Sequence, residues 1–182
     1  MSNQRKFIKK AFELIKNSFE EFTNENISLI IRNHEKIKFN EKGIIKLEHI
    51  DKCDHVNYFI YMIDDCYRFL DKRPELYQSL RVESKKFLES LNIITENDTL
   101  ILEKAIIINF LLHEFGHISH IKQFVNYSIF NNLRNINNQS IYLFVNSRED
   151  TNINIKKHLL FGEHYAEMFK FKYFYKIWKQ LQ

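Results

Sequence analysis

Ile106-Ile107-Ile108-Asn109-Phe110-Leu111-Leu112-His113-Glu114-Phe115-Gly116-His117 is the stretch whose reading decides the fold. Its apolar run, broken only by Asn109, predicts a helix with a buried face, and Leu102, Ile106 and Phe110 extend that face toward the N-terminus. Asn97, Asp98 and Thr99 supply capping side chains upstream. Four residues make slightly more than one helical turn, so His113 and His117 project from the same face and can chelate one ion. Gly116 inside a helix costs about 1 kcal/mol relative to Ala, which predicts a close neighbour at that point. The competing reading is a buried helix that carries two structural histidines.

A helical His-Glu-x-x-His pattern suits zinc hydrolysis. Glu114 lies one residue beyond His113, close enough to touch water at the ion without being a ligand. Zinc lowers the pKa of bound water to about 7, and a neighbouring carboxylate can take its proton and deliver it to a leaving amine. Glu114 is therefore the expected general base, activating a zinc-bound water. A catalytic zinc site needs a third protein ligand and one open position. The last helix offers Gly162-Glu163-His164-Tyr165-Ala166-Glu167-Met168-Phe169, in which Glu163 and Glu167 are four apart and share a face. Small Ala166 between them would let two helices approach closely. Glu163 is assigned as third ligand, and Glu167 as the carboxylate that accepts the second ring N–H of a zinc-bound histidine. The plain alternative is a pair of exposed helix carboxylates. His164 is an alternative ligand, although it points about 100 degrees away from Glu163 around the helix. His120 lies about 4.5 Å further along the axis than His117 and reads as a pocket-lining residue.

His113 to His117, followed by Glu163-x-x-Ala166-Glu167-x-Phe169, resembles the gluzincin-type zinc metallopeptidases, most like the compact ImmA/IrrE-like branch. There the downstream signature is similar to Glu-x-x-Ala-Asn/Asp-x-Phe-Ala. The resemblance covers roughly residues 102–174. It implies His113, His117 and Glu163 as ligands of one Zn2+ per chain, Glu114 as general base, and a protein or peptide substrate, a regulatory protein among the candidates. Two positions depart from the pattern: Glu167 stands where Asn or Asp is usual, and Lys170 where a small residue is usual. In zincin-like folds the strand edge beside the metal helix often pairs with extended substrate, and residues 56–63 are the candidate for that edge. Such mechanisms also use a Tyr or His to steady the oxyanion, for which Tyr165, Tyr173, His158 and Tyr127 are eligible.

Outward from these motifs, Ile8, Phe12, Ile15, Phe19 and Phe22 recur at steps of four and three, predicting an amphipathic helix over residues 1–24. Residues 27–31, 36–39 and 43–50 are short and rich in β-branched side chains, with a turn at 40–43, and residues 56–63 read as a further strand. Pro74 suits the first turn of a helix running to about residue 91. The Asn-rich stretch 131–154 reads as an irregular connection, with a short strand at 141–145, before a final helix over 155–181. The expected fold class is α+β and zincin-like: one domain over residues 1–182, with a small, mostly antiparallel sheet packed on the metal-binding helix and a long C-terminal helix.

Composition narrows the function classes. With 182 residues, 3 Gly and 1 Pro, the chain favours long helices in one domain over many tight turns. A net charge of +4, with basic residues spread at helical spacing between Phe, Ile and Tyr, reads as solvated helix faces and gives no sign of nucleic acid. Cys53 and Cys66 form no CxxC pair and no disulfide framework, the N-terminus lacks the apolar centre of a signal peptide, and no apolar run could span a bilayer. These features lead to an expected cytoplasmic location with no membrane partner. Cys53, Asp54 and His55, with His49 nearby, could form a second metal site but read better as a polar strand end. Two other functions compete with the peptidase. A di-iron carboxylate protein would use Glu114-x-x-His117 as one half-site, but the sequence has no second Glu-x-x-His. A non-catalytic module that keeps the fold to bind a partner would have no use for Glu114.

Overall fold

The computed structural model describes residues 3–33, 46–52, 55–65, 74–93, 99–124 and 153–182. Their order is α1 (Asn3–Ser18), α2 (Glu20–Thr23), β1 (Asn26–Arg32), β2 (Lys46–Lys52), β3 (His55–Ile63), α3 (Pro74–Ser90), α4 (Thr99–Phe124) and α5 (Ile153–Leu181). The expected elements at 36–39, 40–43 and 141–145, the capping residues Asn97 and Asp98, both cysteines, Asp54 and Tyr127 lie outside the described residues. The fold is α+β and mostly helical. No helix among the described residues is long and apolar enough to cross a membrane.

The centre of the molecule is α4. Its apolar residues lie all round the cylinder, the pattern of a helix buried on every side. Leu102, Ala105, Ile106, Ile107, Ile108, Leu111, Leu112, Phe115 and Ile118 are all buried. Phe115 meets Phe12 of α1 and Phe22 of α2, with ring centroids at 5.5 and 4.9 Å. The helix predicted over 1–24 breaks at Phe19, whose backbone is extended (φ −132°, ψ 122°) between α1 and α2. The break directs the Phe19 ring onto Tyr173 and Phe169 of α5, at 4.6 and 5.4 Å. Aromatic packing across elements thus overrides the helical period at one residue.

The sheet corrects the expectation of mostly antiparallel pairing. Its order is β1-β3-β2, with β1 parallel to β3 and β2 antiparallel to β3. The substrate-edge expectation for residues 56–63 fails with it, because β3 is the central strand and both its edges are paired. The physical reason lies in β3 itself: Tyr58, Ile60 and Met62 are buried on one face, and on the other Ile63 is buried while Phe59 and Tyr61 are half-buried. A strand apolar on both faces belongs in the interior of a sheet.

Helix α3 begins at Pro74 and ends in a Schellman motif. Asn92 takes the left-handed conformation (φ 57°), its N–H donates to the Glu89 carbonyl at 3.0 Å, and the Ile93 N–H donates to the Leu88 carbonyl at 2.9 Å. Phe87 then packs edge-on against Phe174 of α5 at 4.7 Å. Among the described elements the most extensive packing is that of α4 on α5, and it carries the candidate site.

Candidate metal centre

Gly116 and Ala166 fix how closely the two site helices approach. A Cβ on Gly116 would lie 2.7 Å from the Ala166 Cα, 3.0 Å from the Phe169 Cβ and 3.1 Å from the Ala166 carbonyl oxygen. The helical glycine is thus matched by a close neighbour, and Ala166 is the small residue opposite it. His113 and His117 flank Gly116 as Glu163 and Glu167 flank Ala166, and these side chains face each other across a short gap.

His113 and His117 turn their Nε2 atoms toward one another at 3.0 Å, with their rings nearly perpendicular. Glu163 presents Oε2 to His113 Nε2 and Oε1 to His117 Nε2, each at 3.4 Å. On its far side the His113 ring meets Glu167, with Nδ1 2.9 Å from Oε1. Among the described residues, His113, His117 and Glu163 form a group that could hold a metal ion. Donor spacing tests the fit: in a tetrahedral zinc site with bonds of about 2.0–2.1 Å, adjacent donors stand roughly 3.3 Å apart. The two nitrogens stand 3.0 Å apart and each lies 3.4 Å from a different Glu163 oxygen, and one donor atom from each of the three residues falls within 4.8 Å of the others. Two imidazoles and a carboxylate also suit zinc chemically.

The charged groups around the two histidines shift one another strongly. Burial opposes charge on His113, but hydrogen bonds to Glu163 and Glu167 outweigh it and raise its pKa to about 9. Burial and the charge of His113 hold His117 down at about 4. The His113 Nε2 edge therefore faces both the Glu163 carboxylate, at 3.4 Å, and the His117 ring nitrogen, at 3.0 Å. Burial alone would raise the Glu167 carboxyl, yet His113 and Lys170 bring it down to about 2. Glu163 is likewise lowered, its hydrogen bond to His113 prevailing over burial. Glu114 goes the other way. It is 5% exposed, and desolvation drives its pKa up to about 7, with His113 opposing and Glu163 adding to the rise. A carboxyl held near neutrality beside a metal-ligand cluster suits reversible proton transfer.

The remaining sequence candidates separate cleanly. His164 is exposed on α5 and is not among the clustered ligands. His120 is buried beside the site, against Phe161 at 5.4 Å and Tyr165 at 5.8 Å. Gly162 leaves room for it: a Cβ there would stand 3.1 Å from His120 Nδ1. The Tyr165 hydroxyl lies 3.1 Å from both Gln123 Oε1 and Ser119 Oγ and can donate to either, which directs it toward the end of α4. Tyr173 packs against Phe19 and Phe169. The side chains of His158, His49 and His55 lie outside the described residues.

Two features escape the sequence reading. Ser119, fully buried, donates to Glu21 at 2.9 Å and so ties α2 to α4 and, through Tyr165, to α5. Lys170, only 8% exposed, reaches Glu167 Oε2 with Nζ at 2.5 Å. The spacing of Glu167 and Lys170, three residues apart on a helix, was the available signal for that pair. No protein-family model, curated protein or solved structure matches the chain. The functional reading therefore stands on the site's own geometry.

Proposed function

We propose that the chain is a zinc-dependent peptidase of zincin-like fold, resembling the ImmA/IrrE-like branch, that hydrolyses peptide bonds in a protein substrate. The observation that carries this reading is the convergence of His113 Nε2, His117 Nε2 and the Glu163 carboxylate within reach of one metal ion, beside the buried carboxyl of Glu114. His113, His117 and Glu163 would hold the zinc. When bound, zinc acidifies water and polarises a carbonyl oxygen. The chain's own residues supply the rest. Glu114, buried beside the two histidines, accepts a proton from the attacking water and returns it to the departing amine nitrogen. Glu167 accepts the Nδ1–H of His113 and so presents Nε2 as the coordinating atom. The apolar flank of α4 keeps the two histidines at fixed spacing.

Metal content of the purified chain and of Glu163→Ala tests the ligand set. Roughly one zinc per chain, lost in the variant, is expected of a site with three protein ligands. Two irons per chain, or no metal at all, would sink the reading. Glu114→Gln should keep zinc and abolish cleavage of a denatured protein substrate; normal cleavage by that variant would remove Glu114 as the base.

A further inference from the structure

Lys170 is a cation in an unusual place. It is 8% exposed, flanked by the buried Phe169, and its Nζ lies 2.5 Å from Glu167 Oε2 and 5.2 Å from the Phe171 ring centroid. Glu167, by contrast, has a side chain 40% exposed and long enough to rotate into water. Its two oxygens are divided: Oε1 faces His113 Nδ1 at 2.9 Å and Oε2 faces Lys170. A half-exposed glutamate joined to one ring nitrogen alone would spend much of its time in other rotamers, since ordering such a side chain costs considerable entropy. The second anchor restricts that motion.

We propose that Lys170 is a positioning residue: by holding Oε2 of Glu167 it keeps Oε1 on the Nδ1–H of His113, and so fixes the tautomer and direction of that ring. The inference rests on the zinc reading for its purpose, because only a metal-directed Nε2 gains from a fixed Nδ1 partner. The longer Glu at position 167 and the buried cation at position 170 then make one device. A glutamate reaches the ring but needs a clamp. A purely structural ion pair is the alternative, and burial of such a pair adds little net stability compared with a well-packed apolar residue. Melting temperature therefore does not distinguish the two. Zinc affinity alone does not either, because removing a cation favours a divalent ion through space while a lost anchor weakens it.

The imidazole proton reports position directly. In protein labelled with nitrogen-15 at histidine, the His113 Nδ1–H should give a slowly exchanging proton resonance in both the metal-free and zinc-loaded states. Lys170→Met should raise its exchange rate with water by roughly tenfold or more, the equilibrium value of a charge-assisted hydrogen bond. Lys170→Arg should keep it near the parent rate. Lys170→Gln, shorter and uncharged, should resemble Lys170→Met and serves if the methionine variant does not fold. An unchanged exchange rate in Lys170→Met or Lys170→Gln overturns the proposal, as does a rise of the same size in Lys170→Arg. Zinc stoichiometry of the parent protein is read separately. If it is zero while the exchange results hold, the peptidase reading fails and the clamp on His113 survives.

Discussion

Gly116→Ala is the smallest change that should disturb both the core and the site. The added Cβ would meet the Ala166 Cα at 2.7 Å, whereas ordinary contact begins at 3.4 Å, so α4 and α5 must part by roughly 0.7 Å there. The obstructing atoms belong largely to backbone and cannot rotate aside. Overpacking of this kind costs typically ~1–3 kcal/mol. Replacing a helical glycine returns about 1 kcal/mol. With the obstruction set by backbone, the cost falls toward the upper end and the net loss is roughly 1–2 kcal/mol. For a chain of this size each kcal/mol is worth about 2–4 °C in Tm, so a fall of roughly 2–8 °C is expected in the metal-free protein. The site should suffer more. If the helices separate as rigid bodies, the 2.9 Å bond from His113 to Glu167 lengthens to roughly 3.6 Å and ceases to be a hydrogen bond. Zinc affinity should then fall about 10–100-fold, the usual cost of losing a ligand's outer partner. Thermal melting and chelator competition measure the two effects. Ala166→Gly added to Gly116→Ala should not rescue either, since two of the atoms in the way are the Cα and carbonyl oxygen that any residue at 166 carries. A variant as stable as the parent, with unchanged zinc affinity, would refute the close approach of α4 and α5 on which the site depends.

Other consequences follow from the protonation of the cluster and its surroundings. Zinc binding near neutral pH should release about one proton per chain, because His113, raised to about 9, must give up its proton to coordinate; calorimetry in buffers of different ionisation enthalpy counts it. In the metal-free protein the folded pKa of His113 exceeds its ordinary 6.5, so its contribution is complete below 6.5 and is lost as pH rises through 9. Denaturant midpoints should therefore decline across that window, and saturating zinc should flatten the decline. Tyr165→Phe should cost about 1 kcal/mol through its lost hydrogen bonds to Ser119 and Gln123. It should leave zinc affinity and cleavage unchanged, and a large loss of cleavage would return Tyr165 to the oxyanion role. Phe115→Ala should cost about 3–5 kcal/mol by opening a cavity between α1, α2 and α4, read from denaturant unfolding.

The helical half of this chain was legible because its signals are local. The apolar run before His113, Pro74 at the start of α3, and the four-residue steps His113 to His117 and Glu163 to Glu167 each declare a helix and one of its faces within a few residues. Gly116 and Ala166 went further and announced a contact between two distant helices, since small residues have few other reasons to sit at those positions. The sheet was less legible. Strand existence at 27–31 and 56–63 follows from composition, but pairing partners are chosen by which strand must bury both faces. The apolar residues on both faces of β3 mark it as interior, but they name neither β1 and β2 as its partners nor the direction of each. The break at Phe19 was hidden for a similar reason, because the ring it turns outward packs on Tyr173, far along the chain.

The site residues divide along the same line, and the division shows where the chemistry is held. His113, Glu114 and His117 lie on a single helix, so their spacing alone places them. Glu163 and Glu167 become neighbours of the histidines only through the Gly116–Ala166 contact, which sets the separation of α4 and α5. Lys170 acts one step further out, on Glu167 rather than on a ring. Each step away from the histidines depends on a longer-range contact and carries a weaker sequence signal. The same order should govern damage. A change at Glu163 should remove the ion, a change at Gly116 should weaken its binding, and a change at Lys170, whose two effects on the ion oppose each other, should act chiefly on how firmly one imidazole proton is held. A chain in which the Lys170 substitution cost as much metal as the Glu163 substitution would have its site assembled on some other plan.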